Sequence, residues 1–131
     1  MDINDQMFRE DIMEIYKNPS NRGIMNNPTV SVLEVNPFCG DEVNLQLKIS
    51  EGKIEEIKFI GSACMVSTVS SSLLTEAVTG KSLEEVKRFQ KDDLLKIINL
   101  NLTTSRVKCA TLALEALQKA IKEYESKAKN S

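Results

Sequence analysis

The chain has 131 residues, 41% of them apolar and 27% charged, with a net charge of −2 and no histidine. That is the size of one domain with an ordinary core, and neither a basic surplus nor a charge block points to nucleic acid. Without histidine, neither a Ser-His-Asp triad nor a Cys-His nucleophile can be built, so any chemistry falls to thiols and carboxylates aided by Lys or Arg.

The apolar runs are short, far from the length of a membrane span. The start, Met1-Asp2-Ile3-Asn4-Asp5, is acidic and lacks the basic and apolar regions of a signal peptide. The expected location is cytoplasmic, with no membrane partner. The cysteines are Cys39, Cys64 and Cys109. An odd number, widely spaced and without an export signal, argues against a disulfide framework.

In chain order, residues 3–17 read as an amphipathic helix with Ile3, Met7, Ile12, Ile15 and Tyr16 near helical spacing. Pro19 stops it, and Asn18 to Pro28 reads as loop. A first strand begins at Val30. In the second, Val43, Leu45, Leu47 and Ile49 alternate with polar residues, which marks a strand with one buried face. Ser50-Glu51-Gly52-Lys53 supplies a hairpin turn, and Ile54 to Ile60 returns as the third strand. Cys39 to Asp41 then lies in the connection between strands one and two. Strand three runs back toward that end, so Cys64 is expected to emerge close to Cys39.

After Gly61 the period changes to helical, with Val66, Val69, Leu73 and Ala77 as the buried stripe and Ser70 to Ser72 on the other side. Cys64 falls at the first turn, where free amides and the dipole favour a thiolate. Ser82 and Glu85 form a capping box for a short helix, and Leu94 to Ile98 suggest another. Thr104 or Ser105 would cap one long final helix, with Val107, Ala110, Leu114, Leu117, Ile121 and Tyr124 as its stripe. Cys109 falls in its first turns, on a row with Ala113, Ala116 and Ala120. Arg106, three residues earlier, shares its face and would stabilise its thiolate. The expected fold is α+β: a small three-stranded antiparallel sheet against about four to six helices. Residues 1–131 form one domain, with 1–28 as N-terminal helix and loop, and 127–131 as a frayed tail.

Cys39-Gly40-Asp41 alone reads more readily as a turn than as a pair of ligands, and Cys109 alone reads as well as a small core residue. Together the residues say more. Three thiols at element boundaries plus the Asp41 carboxylate make four ligands, the number wanted by tetrahedral zinc or one iron of a cluster. The thiols lie 25 and 45 residues apart, so the tertiary fold, rather than a zinc-finger spacing, would have to assemble such a site.

Asn36-Pro37-Phe38-Cys39-Gly40-Asp41, Gly61-Ser62-Ala63-Cys64 with the Ser-rich run to Thr75-Glu76 and Gly80-Lys81-Ser82-Leu83-Glu84-Glu85, and Arg106-Val107-Lys108-Cys109-Ala110-Thr111-Leu112-Ala113 resemble three motifs of one family. With Tyr16-Lys17-Asn18-Pro19-Ser20-Asn21-Arg22-Gly23 ahead of them, the chain is similar in order and spacing to the U-type iron–sulfur assembly proteins: IscU, SufU and the N-terminal domain of NifU. Lys108 stands where IscU-type proteins carry histidine, and Asn101 to Ser105 has no proline. Both departures speak against dependence on a dedicated Hsp70 chaperone. Arg106 with Cys109 resembles the SufU branch, in a form without the extra segment usual between its second and third cysteines. Ala63 replaces a glycine usual in the family.

The resemblance implies a scaffold and sulfur acceptor, an accessory protein rather than an enzyme. Its partners would be a pyridoxal-phosphate cysteine desulfurase and downstream acceptors of sulfur or clusters. Cys39, Asp41, Cys64 and Cys109 would hold zinc at rest, or iron and a [2Fe–2S] cluster during assembly. Cys39 is expected to be the first sulfur acceptor and Cys109 its rival. The alternatives are a zinc-dependent sulfurtransferase that only relays persulfide, and a structural zinc-binding interaction domain.

Overall fold

A computed structural model describes residues 10–37, 40–61, 64–99 and 102–129. The expected helix positions Ile3 and Met7, and Cys39, lie outside the described residues. The order is α1 (Glu10–Lys17), β1 (Val30–Asn36), β2 (Asp41–Ser50), β3 (Lys53–Ile60), α2 (Met65–Val78), α3 (Leu83–Lys87), α4 (Lys91–Ile98), α5 (Thr104–Ala110) and α6 (Leu112–Lys129). The three strands form one antiparallel sheet in the order β1-β2-β3, the α+β arrangement expected.

Alternation sets the sheet's two faces. Val43, Leu45, Leu47 and Ile49 of β2 all point into the core, joined by Val30 and Val32 of β1. On β3 the buried residues are Ile54, Ile57 and Phe59, so the period of two is broken between Ile54 and Ile57. A register shift solves this: Lys48 pairs with Glu56, but Ile49 pairs with Ile54. The extra residue brings both isoleucines to the core side, as a β-bulge does. The hairpin turn is Glu51-Gly52, both at positive φ (52° and 74°), which matches a type I′ connection.

α2 is the central helix. It packs on α1, α4, α5, α6 and β3, while α6 lies across β1 and β2. This overturns the expectation that Ser70 to Ser72 face away from the core: Ser67, Thr68, Ser70, Ser71, Ser72 and Thr75 are all buried, whereas Leu73 is only half-buried. Buried hydroxyls need partners, and α2's hydroxyls find them on both sides. On one side Ser72 Oγ accepts the Ser20 N–H at 2.8 Å and Thr75 Oγ1 accepts Asn21 Nδ2 at 3.1 Å. On the other, Ser67 and Ser70 donate to the carbonyls of Cys109 and Ala110. Among the fully buried side-chain polar atoms of the described residues, only Ser71 Oγ lacks a partner.

The loop after α1 is held in the same way. Asn21 accepts the Phe59 N–H at 3.0 Å and Gly23 donates to the Phe59 carbonyl at 2.9 Å. Residues 21–23 thus cover the edge of β3 at Phe59, as Gly80 and Lys81 do at Ile54.

The long final helix is a second correction. Thr103, not Thr104 or Ser105, is the N-cap, and the helix is interrupted at Thr111 (φ −95°, ψ 0°). The Thr111 hydroxyl donates back to the Val107 carbonyl at 3.1 Å, a bond that bends helices. The carbonyls just before the break are those that take the α2 serines. Cys109 therefore sits near the end of a short helix, at its junction with α6, instead of near the start of a long one. The row Cys109, Ala113, Ala116 and Ala120 is fully buried, as its small side chains allow. α6 is helical through Lys129, beyond the residue where fraying was expected to begin.

The capping box at α3 is formed: Ser82 Oγ accepts the Glu85 N–H at 3.2 Å and Glu85 accepts the Ser82 N–H at 3.4 Å. These bonds to Ser82, backbone first and hydroxyl second, hold the Glu85 carboxyl below its ordinary range. Among the described residues, no helix is long and apolar enough to cross a membrane.

Candidate metal centre

Three antiparallel strands deliver the site to one end of the sheet. Asp41 is the first residue of β2, paired with Asn36 across the ladder, and is buried. It belongs to the strand rather than to the loop in which it was expected. Gly40, at φ 74°, makes the left-handed step that turns the chain onto β2. β3 runs antiparallel to β2 and ends at Ile60, opposite Asn44. Gly61 then crosses so close to β2 that a Cβ there would lie 2.2 Å from the Glu42 carbonyl oxygen. From that crossing the chain reaches Cys64, the N-cap of α2.

Asp41, Cys64 and Cys109 converge: one ligand atom from each lies within 4.8 Å of the other two. Donor atoms around a tetrahedral zinc with bonds of about 2.3 Å stand roughly 3.8 Å apart, so a small inward movement fits the ion. Two sulfurs and a carboxylate suit a borderline-soft metal. Cys39 would be the fourth donor and lies outside the described residues.

The carboxylate is held by α2. Asp41 Oδ1 accepts the Cys64 N–H at 3.1 Å, and Oδ2 accepts the Ser67 hydroxyl at 2.6 Å. A carboxylate from another strand thereby satisfies the first amide of the helix, where the dipole favours an anion. The Cys64 thiol is 3.6 Å from Ser67 Oγ. Cys109 is buried and Cys64 half-buried. Arg106, expected on the face of Cys109, is exposed and makes no hydrogen bond or ion pair with another described residue. Sequence reasoning missed Ser67, which is hidden in a serine-rich run. Its place three residues after the N-cap, where a cap-bonding residue often stands, is the signal that could have found it.

An α+β domain that gathers two thiols and a carboxylate from three remote segments is of the class whose fold assembles a candidate metal site. The chain belongs to the NifU-like N-terminal domain family, which matches residues 7–131. It is 32% identical to the zinc-dependent sulfurtransferase SufU of Bacillus subtilis, over 92% of this chain and 93% of that one. It is 36% identical to the iron–sulfur cluster assembly scaffold protein IscU of Escherichia coli, over 92% and 95%. Among solved structures, a SUF-system protein of Fervidobacterium islandicum is similar at a TM-score of 0.74 and 26% identity, covering 88% of this chain and 97% of that one. A NifU-like N-terminal domain of Brucella abortus shares the fold at a TM-score of 0.79 and 18% identity, covering 96% and 99%.

Proposed function

We propose that this chain is a sulfur acceptor and scaffold for iron–sulfur cluster assembly, a cytoplasmic accessory protein to a pyridoxal-phosphate cysteine desulfurase. The observation that carries it is the convergence of Asp41, Cys64 and Cys109 to within 4.8 Å. Cys39, Asp41, Cys64 and Cys109 would hold zinc at rest. Iron and the nascent [2Fe–2S] cluster would be cargo, passed on to acceptor proteins. Bound zinc would keep the thiols deprotonated. Asp41, an oxygen donor among sulfurs, is the weakest ligand for such ions and the natural one to release.

In the transfer step a thiolate of this chain attacks the terminal sulfur of the desulfurase's persulfide. A new S–S bond forms as the old one breaks, and the desulfurase cysteine leaves as thiolate with no net redox change. We assign the attack to Cys39, which falls in sequence between β1 and β2 next to the left-handed Gly40, because connecting segments tend to carry function. Cys109, buried under α2, is the rival. Arg106, exposed on α5, would assist a thiol released from metal. Cys39→Ser is expected to stop sulfur acceptance, read as persulfide on each cysteine by mass spectrometry after incubation with the desulfurase. Acceptance at the wild-type rate would overturn the assignment.

A relay that never holds a cluster is the second reading. It is supported by Lys108, a non-ligand next to Cys109, and by the likeness to a zinc-dependent sulfurtransferase. Anaerobic reconstitution separates the two: a stable visible chromophore favours the scaffold, and zinc that iron cannot replace favours the relay.

A further inference from the structure

We propose that Ser67 is a positioning residue that restricts Asp41 to one-oxygen coordination and ties that carboxylate to the Cys109 end of α5. The inference rests on the metal-site reading above and adds a residue to it. Ser67 is only 1% exposed, yet its hydroxyl touches all three described donor residues. It lies 2.6 Å from Asp41 Oδ2, 2.9 Å from the Cys109 carbonyl and 3.6 Å from the Cys64 sulfur.

Proton counting ranks these contacts. A serine hydroxyl has one proton and two lone pairs. The 2.6 Å separation to Asp41 falls in the range of charge-assisted O–H···O⁻ bonds, which are about twice as strong as neutral ones. The proton therefore belongs mainly to Oδ2, with the Cys109 carbonyl sharing it. Oδ1 is meanwhile occupied by the Cys64 N–H at 3.1 Å. Each carboxylate oxygen accepts a directed bond from α2, so a metal chelated by both oxygens would have to weaken the short bond to Ser67. Binding through a single oxygen leaves that bond intact and keeps the site four-coordinate. Because the same hydroxyl reaches the Cys109 carbonyl, a shift of Asp41 is transmitted to the segment that carries the Cys109 sulfur. Outer partners of metal ligands orient them in this way.

Ser70 supplies a matched control. It is equally buried, lies one turn further along α2, and donates to the Ala110 carbonyl next door, but is not among the hydroxyls bonded to Asp41. If Ser67 only fastens α2 to α5, the two serines are equivalent.

Cobalt(II) titration of Ser67→Ala, Ser70→Ala and the unaltered chain tests this. Four-coordinate cobalt absorbs more strongly in the visible than five-coordinate cobalt, so the spectrum reads coordination number directly. Ser67→Ala is expected to bind cobalt about 10- to 100-fold more weakly and to show a weaker ligand-field band at saturation. Ser70→Ala is expected to keep the wild-type band and affinity. Reading the band at saturating cobalt probes the loaded protein even where the lost hydroxyl weakens the fold. Equal behaviour of the two variants overturns the positioning role and leaves the metal site standing. Absence of sulfur-to-cobalt charge transfer in the unaltered chain overturns the metal site and this inference together.

Discussion

Cys64→Ser is expected to lower zinc affinity by more than 100-fold while leaving the metal-free fold as stable as before, or slightly more so. Cys64 is the N-cap of α2, with extended backbone angles and no side-chain cap bond. Serine is nearly the same size and is a favoured N-cap, because its oxygen accepts an amide of the first turn. The substitution should therefore keep or improve the local helix start. It removes one of the thiolates, however, and a ligand is worth more than the roughly tenfold to hundredfold that an outer partner contributes. Competition against a chromophoric chelator gives the affinity, and thermal unfolding of the metal-free protein gives the stability. Unchanged affinity would remove Cys64 from the site. A large loss of metal-free stability would mean that the thiol's role is packing.

Gly61→Ala is expected to lower both stability and metal affinity. The added Cβ would lie 2.2 Å from the Glu42 carbonyl oxygen and 3.1 Å from the Val43 Cα. These are backbone atoms of the central strand and cannot rotate aside. Overpacking of this kind costs about 1–3 kcal/mol, or a fall in melting temperature of roughly 3–12 °C for a chain of this length. Relief requires Gly61 to lift from β2, which would move Cys64, three residues on, away from Asp41. Gly40 is a contrasting case: among the described residues a Cβ there meets nothing within 4 Å, so its alanine variant is expected to bear chiefly the strain of its positive φ. A Gly61→Ala protein with wild-type melting and zinc binding would contradict this account of how β3 delivers the thiol.

The sheet was legible because its signal is local. The alternation in β2 and the Glu51-Gly52 turn fixed two strands and their direction, and direction alone placed Cys64 beside the first motif. The bulge that lets Ile54 and Ile57 share a face was not legible, since its cause is the shared core. Nor was the setting of α2. Its serines resemble a solvent face by composition, and only the arrangement of α1's following loop, α5 and α6 around them shows that each hydroxyl but one meets a partner. The break at Thr111 follows from the same contact, because the α5 carbonyls at the junction turn toward α2. A periodic stripe running from Val107 to Tyr124 gave no sign of it. Asp41 is legible as a candidate ligand from its place two residues after Cys39, whereas its orientation comes from Cys64 and Ser67, residues remote in sequence.

The central claim is that folding gathers these donors on one ion. Zinc-edge X-ray absorption of the protein loaded with one equivalent of zinc tests it most directly. The expected result is three sulfurs at about 2.3 Å and one oxygen at about 2.0–2.2 Å. A first shell of oxygen or nitrogen alone, or with a single sulfur, would contradict it.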